Sequence, residues 1–156
     1  MHPSTTLFLT ALVSLSSALP TTNTLVSRAG GPAIVPIPDT CTITNPLPTT
    51  TGTTSFLPAP STNSDILYSA YYSSFSTNKT AMAEQCLQQC YGYGYHVECK
   101  TAFWAENVLT PAGYYGTPGG DLATACVLFG RALVAGDFVV APEGQGTDAF
   151  AGNIAC

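Results

Sequence analysis

Six cysteines, at positions 41, 86, 90, 99, 126 and 156, constrain this chain more than any other feature. An even number of cysteines in a secreted chain reads as a disulfide framework. Counting alone leaves all fifteen pairings open. The rival reading is structural zinc, which needs two close Cys pairs or one such pair matched by His pairs. Only Cys86 and Cys90 are that close, and the second histidine, His2, stands at the extreme N-terminus, so His96 has no His partner. No metal site is expected.

The N-terminus sets the compartment. Leu7 to Leu15 is a short apolar run, followed by Ser16-Ser17-Ala18. That order is the pattern of a secretory signal peptide, with cleavage after Ala18 placing small residues at both recognition positions. The run is shorter than the ~20 residues a membrane-spanning helix needs. No other stretch is long enough either, so no membrane insertion is expected, and the end at Cys156 lacks the apolar tail of a lipid anchor. Arg28 is a candidate second processing site. The expected location is extracellular or at the cell wall.

After residue 18, roughly 130 residues remain, enough for one domain around one core. Charged residues form 8% of the chain, so Thr, Ser, Asn, Gln and Tyr must supply its polar surface. The net charge of −5, with Lys79, Lys100 and Arg131 scattered, argues against nucleic acid, anionic polysaccharide and anionic membrane surfaces.

Residues 19–40 read as a Pro/Thr-rich disordered linker and 41–156 as the domain. The prolines between residues 32 and 60 argue against regular ladders there. Thr49 to Ser55 is low in complexity and can carry O-linked sugars. Asp65 to Ser76 is aromatic and β-prone. Asn78-Lys79-Thr80 is an N-glycosylation sequon on Asn78. A helix follows over 81–91, with Thr80 as N-cap, Glu84 in the first turn and Gly92 ending it in the left-handed conformation. Ala83, Cys86, Leu87 and Cys90 recur at three- and four-residue spacing, so both helical cysteines point at the core. His96 to Glu106 alternates as a half-buried strand, with Phe103 on one face and Trp104 on the other. Residues 110–120 form a Gly/Pro loop, Ala123–Phe129 and Phe138–Val140 are strands, and 144–147 is a loop.

The order of the cysteines resembles the apple domain of the PAN superfamily and the apple-like modules of small secreted fungal proteins. One Cys opens the domain, two lie four apart on a helix, Cys99 begins the next strand, Cys126-Val127-Leu128-Phe129 heads an apolar strand, and Asn153-Ile154-Ala155-Cys156 closes it. The resemblance covers residues 41–156, most firmly 80–130. It implies an α+β fold in which a curved antiparallel sheet cradles one helix. It also implies the pairs Cys41–Cys156, Cys86–Cys126 and Cys90–Cys99. The loop-entropy model assigns such bonds about 3 to 5 kcal/mol each, rising with loop length. The loops over 42–85 and 100–125 are long for an animal apple domain.

Catalytic sets are thin. A Ser-His-Asp triad has only His96 to draw on, and no nucleophile-elbow sequence surrounds a Ser. Glu98 and Glu106 would stand about 26 Å apart on one strand face, too far for paired-carboxylate hydrolysis. No catalytic residue and no cofactor is expected. Aromatic residues offer more. Trp104, with Tyr93, Tyr95, Tyr114 and Tyr115 in flanking loops, presents flat rings on which sugars stack. The expected function is a secreted non-catalytic module that binds an extracellular polysaccharide or a protein. The alternatives are a structural or host-interacting secreted protein without a sugar site and a small hydrolase built on His96.

Overall fold

The computed structural model describes residues 31–49 and 54–156. The expected signal peptide, Arg28 and residues 19–30 of the linker lie outside the described residues, as do residues 50–53 of the Thr-rich run.

Among the described residues, seven strands and one α-helix follow in the order β1 (Thr42–Thr44), β2 (Phe56–Pro58), β3 (Ile66–Tyr72), α1 (Lys79–Tyr91), β4 (Thr101–Leu109), β5 (Leu122–Phe129), β6 (Phe138–Val140) and β7 (Thr147–Ala155). Five form one antiparallel sheet in the order β1-β7-β4-β5-β3, and β2 and β6 form a separate two-stranded ribbon. The fold is α+β with three disulfides.

The helix forms where its apolar spacing predicts. Met82, Ala83, Cys86, Leu87 and Cys90 are its buried residues, one stripe at three- and four-residue spacing. Its start differs from expectation. Asn78, not Thr80, is the N-cap, accepting the Ala81 N–H on its Oδ1 at 3.0 Å. Glu84 therefore falls beyond the first turn. Its end differs too, because Gly92 has a right-handed φ of −76°. Glycine is required there for another reason: a Cβ would overlap the Ala33 carbonyl oxygen.

That contact corrects the linker reading of residues 31–40. The segment has no helix or strand, yet it packs along α1. The Val35 N–H donates to the Gln88 carbonyl at 3.3 Å, and Ile37 packs against the helix-side core. Alternating apolar residues at 35 and 37 give this stretch something to bury.

The sheet separates two cores. On one face Ala102, Trp104, Cys126, Leu128 and Ile154 meet the helix stripe. On the other, Phe103, Ala105, Ala125, Val127 and Phe129 meet Phe56, Leu133 and Phe138. β4 lies between β5 and β7 and is covered on both faces, so Thr101 to Ala105 are all buried. This corrects the half-buried strand over 96–106. Its start is corrected as well: residues 92–98 form a turn in which His96 has a φ of 65°.

Cys86–Cys126 joins α1 to β5, and Cys90–Cys99 joins the helix end to the residues before β4, with Cα separations of 5.7 and 5.3 Å. Cys41–Cys156 joins the residues flanking β1 and β7. The Pro-rich segment does form ladders, though short ones: β1 pairs with β7, and β2, despite Pro58, pairs with β6. Both are edge strands, where a proline is tolerated. No helix among the described residues is long and apolar enough to cross a membrane.

Candidate binding surfaces

The five aromatics expected to form one face are separated by the fold. Trp104 is 1% exposed and sits beneath α1, its Nε1–H donating to the Tyr72 hydroxyl at 3.2 Å. It is core, not a platform, because the helix covers the sheet face it points from. Tyr93 and Tyr114 serve the open edge of β3. The Tyr93 hydroxyl donates to the Leu67 carbonyl at 3.3 Å, and the Tyr71 N–H donates to the Tyr114 hydroxyl at 2.9 Å. Those two positions are four residues apart, about 13 Å along a strand. Each tyrosine thus satisfies a backbone group that an edge strand otherwise leaves open. Only Tyr95, at 86%, and Tyr115, at 88%, present their side chains to solvent.

Tyr115 stands at the tip of the β4–β5 connection. Tyr71 and Tyr114 make an edge-on ring contact with centroids 4.9 Å apart, and Tyr114 and Tyr115 another at 4.6 Å. Burial, and then the neighbouring Tyr114, raises the pKa of the Tyr71 hydroxyl. The ladder runs from β3 outward and ends in an exposed ring. Tyr115 also has a φ of 48°, between Gly113 at 85° and Gly116 at 77°. A bulky residue in that region is a backbone outlier. The tip is pinned by the Gly113 N–H donating to the Thr117 carbonyl at 2.8 Å and the Thr117 hydroxyl donating to the Tyr114 carbonyl at 2.8 Å. Residues 110–120 contain no charged side chain.

A second surface lies between α1 and the β1–β7 edge. It is an open groove of about 680 Å³. Leu87, Ile43 and Phe150 converge over Gly152, where a Cβ would stand 2.8 Å from Leu87 and 3.2 Å from Ile43. The rim carries Lys79, Glu84 and Asp148. Lys79 Nζ lies 2.9 Å from Glu106 and 2.5 Å from Asp148. The hydrogen bonds from Asp148 and Glu106 push the Lys79 pKa up to about 12. Lys79, and then the Ser74 hydroxyl, hold Glu106 below its ordinary value. Asp148 is itself left-handed, with a φ of 54°, and so is Asn107 at 56°, where the β4 ladders slip register. These residues are distant in sequence, and no motif groups them. The one local signal is the Lys79-to-Glu84 span at the start of the helix.

His96 stacks on Tyr91 and makes a 2.6 Å hydrogen bond from Nδ1 to the Tyr91 carbonyl. Glu98 lies in the turn before β4, so it does not share a strand face with Glu106. Among the described residues no group of three His, Cys, Asp or Glu could hold a metal ion. Asn78 is exposed, and its capping bond uses Oδ1, leaving Nδ2, the atom a glycan takes, outside that bond. No protein-family model, curated protein or solved structure matches this chain.

Proposed function

We propose that this chain is a secreted, non-catalytic recognition module of the apple/PAN-like type, with a curved sheet cradling its helix. We further propose that it binds a neutral polysaccharide through Tyr115. The supporting observation is the tip itself. An exposed ring is held on a left-handed backbone that costs about 1 kcal/mol, and its 88% exposure offers little burial to offset that strain. Unrelieved strain of this kind is associated with functional positions. The ring rests edge-on against Tyr114, a contact that narrows its freedom before any ligand arrives. A flat ring with an apolar face suits a pyranose, and the run 110–120 around it, uncharged up to Asp121 at the foot of β5, suits a neutral one. Three disulfides support an oxidising, extracellular setting. Asn78, in its sequon, is the proposed N-glycosylation site.

The test is retention of the secreted protein on insoluble chitin, cellulose and β-glucan, repeated with Tyr115→Ala. Retention on one polymer, lost in the variant, is the expected result. Retention unchanged in Tyr115→Ala would move the site elsewhere, with Tyr95 the next exposed ring. No retention on any polymer would shift the reading to a protein partner or a structural role.

A further inference from the structure

The open edge of β1 and the groove beside it carry a site of different chemistry. Among the described residues, β1 is the outermost strand of the sheet and pairs only with β7. On β7, the Ile154 N–H donates to the Lys100 carbonyl, just ahead of β4, at 2.8 Å. The N–H and C=O of one strand residue point to the same side, so those of Ile154 point away from β1. Ile43 is opposite Ile154 in the register. The two therefore form a non-hydrogen-bonded pair, and the Ile43 N–H and C=O point outward, away from β7. No backbone bond to either group is found among the described residues.

The Ile43 side chain is 48% exposed and forms the outer wall of the groove, against Leu87 and Phe150. Along the rim, two carboxylates, Glu84 and Asp148, accompany one ammonium, Lys79, which is already held by Asp148 and, from outside the groove, by Glu106. The rim is thus anionic in excess on a chain whose net charge is −5.

We propose that β1 is a strand-addition site for an extended polypeptide. The incoming strand pairs with the outward N–H and C=O of Ile43. One apolar side chain enters the groove between Ile43, Leu87 and Phe150, and a Lys or Arg two residues along, on the same face, meets Glu84 and Asp148. A paired donor and acceptor on a strand edge recognise backbone, which a sugar or a lipid lacks; the apolar pocket and acidic rim select among sequences. The apolar and the basic residue of the added strand stand two apart, since successive side chains point to opposite faces and the groove and its carboxylates lie on one face. The site is separate from the Tyr115 tip.

The probe is a labelled, acetylated Thr-Lys-Thr-Val-Thr-Lys-Thr peptide, which puts Lys, Val and Lys on one face, compared with Thr-Glu-Thr-Val-Thr-Glu-Thr, by fluorescence polarisation on the secreted chain. The basic peptide should bind, weaken with added salt, and exceed the acidic one by roughly tenfold or more. Equal binding of the two would overturn the inference. Ile43→Pro removes the outward N–H without touching a bond to β7, so it should fold and lose the basic peptide; undiminished binding would overturn strand addition. Glu84→Lys, on the exposed helix surface, should weaken the basic peptide and spare the acidic one. Should Ile43→Pro fail to fold, amide exchange in the unmutated chain decides. The Ile43 N–H should exchange fast when free and slow by about tenfold or more with the basic peptide bound. An unchanged rate would overturn the site.

Discussion

Gly92 meets the backbone of Ala33 so closely that a Cβ on residue 92 would overlap the Ala33 carbonyl oxygen. The same hypothetical Cβ would press on the Val35 side chain at 3.0 Å. The glycine ending α1 is therefore the seat of the N-terminal strap. Gly92→Ala should push residues 33–35 off the helix, break the Val35-to-Gln88 bond and loosen Ile37. The expected loss is about 1 to 3 kcal/mol, as for other overpacked contacts. Amide exchange at Val35 reads the strap directly. Unchanged protection in the variant would mean the strap does not depend on this contact.

Trp104 gives the second prediction. Its ring lies under α1 with the Cys86–Cys126 bridge in the same cluster. Trp104→Ala should lower stability by about 3 to 5 kcal/mol, as a large cavity in a packed core does. Trp104→Phe should be milder, losing part of the volume and the bond to Tyr72. Urea unfolding with disulfides intact separates these from a binding role. A Trp104→Ala protein as stable as the parent would contradict the core assignment.

The contrast between Trp104 and the helix shows what the sequence carries. The 3.6-residue spacing of Ala83, Cys86, Leu87 and Cys90 identifies the buried face of α1 because a lone helix on a sheet has one covered side. Alternation along 101–105 separates Phe103 from Trp104 correctly, yet it does not say whether each face is covered. That depends on β2–β6 on one side and α1 on the other, which are non-local. The unbroken apolar run Ala102-Phe103-Trp104-Ala105 was the available sign of a strand buried twice. β7 was harder. Thr147 to Ala155 holds Asp, Asn, Gly and three Ala, a poor strand by propensity. It is a strand because β1 and β4 pair with it on either side. The groove was unreadable for the same reason, since Ile43, Leu87 and Phe150 meet only through that pairing.

Asn78 has two separable roles. Its Oδ1 caps α1, and its sequon offers Nδ2 to a glycan. Asn78→Ala should lose both, with about 1 kcal/mol of stability attributable to the cap. Asn78→Asp should keep the cap and lose only the sugar. Mass and thermal melting of protein from a glycosylating host, measured for both variants, give the answer. Equal melting of Ala and Asp variants would remove the cap from the account.

Acid should weaken the ribbon side of the fold. Arg131 holds Asp137 through 2.7 and 2.8 Å bonds, and the Val134 N–H donates to the same carboxylate at 2.8 Å. These contacts lower the Asp137 pKa to about 2. A carboxyl depressed on folding contributes stability above its unfolded pKa, near 4, and that contribution is lost as pH falls toward the folded value. Glu106, lowered by Lys79 and Ser74, acts in the same direction. The melting temperature should therefore decline as pH drops from about 4 toward 2, and Asp137→Asn should flatten part of that slope. A slope identical in the variant would assign the acid sensitivity elsewhere.

Tyr115 tests whether strain is being kept for a purpose. Its neighbours Gly113 and Gly116 hold the φ values near 80° that suit glycine, whereas Tyr115 holds 48° with a full side chain. Were the residue there only to turn the chain, glycine would serve with less strain. Tyr115→Gly should relieve the left-handed conformation, worth up to about 1 kcal/mol, and forfeit the ring contact with Tyr114 and some unfolded-state entropy. The net change in stability should be small and of either sign. Retention on polysaccharide should nonetheless vanish, because the only exposed ring of the ladder is gone. Stability kept while binding is lost is the signature of a residue held at a functional position. A large loss of stability would instead mark Tyr115 as a structural part of the tip, and the binding face would have to be sought elsewhere.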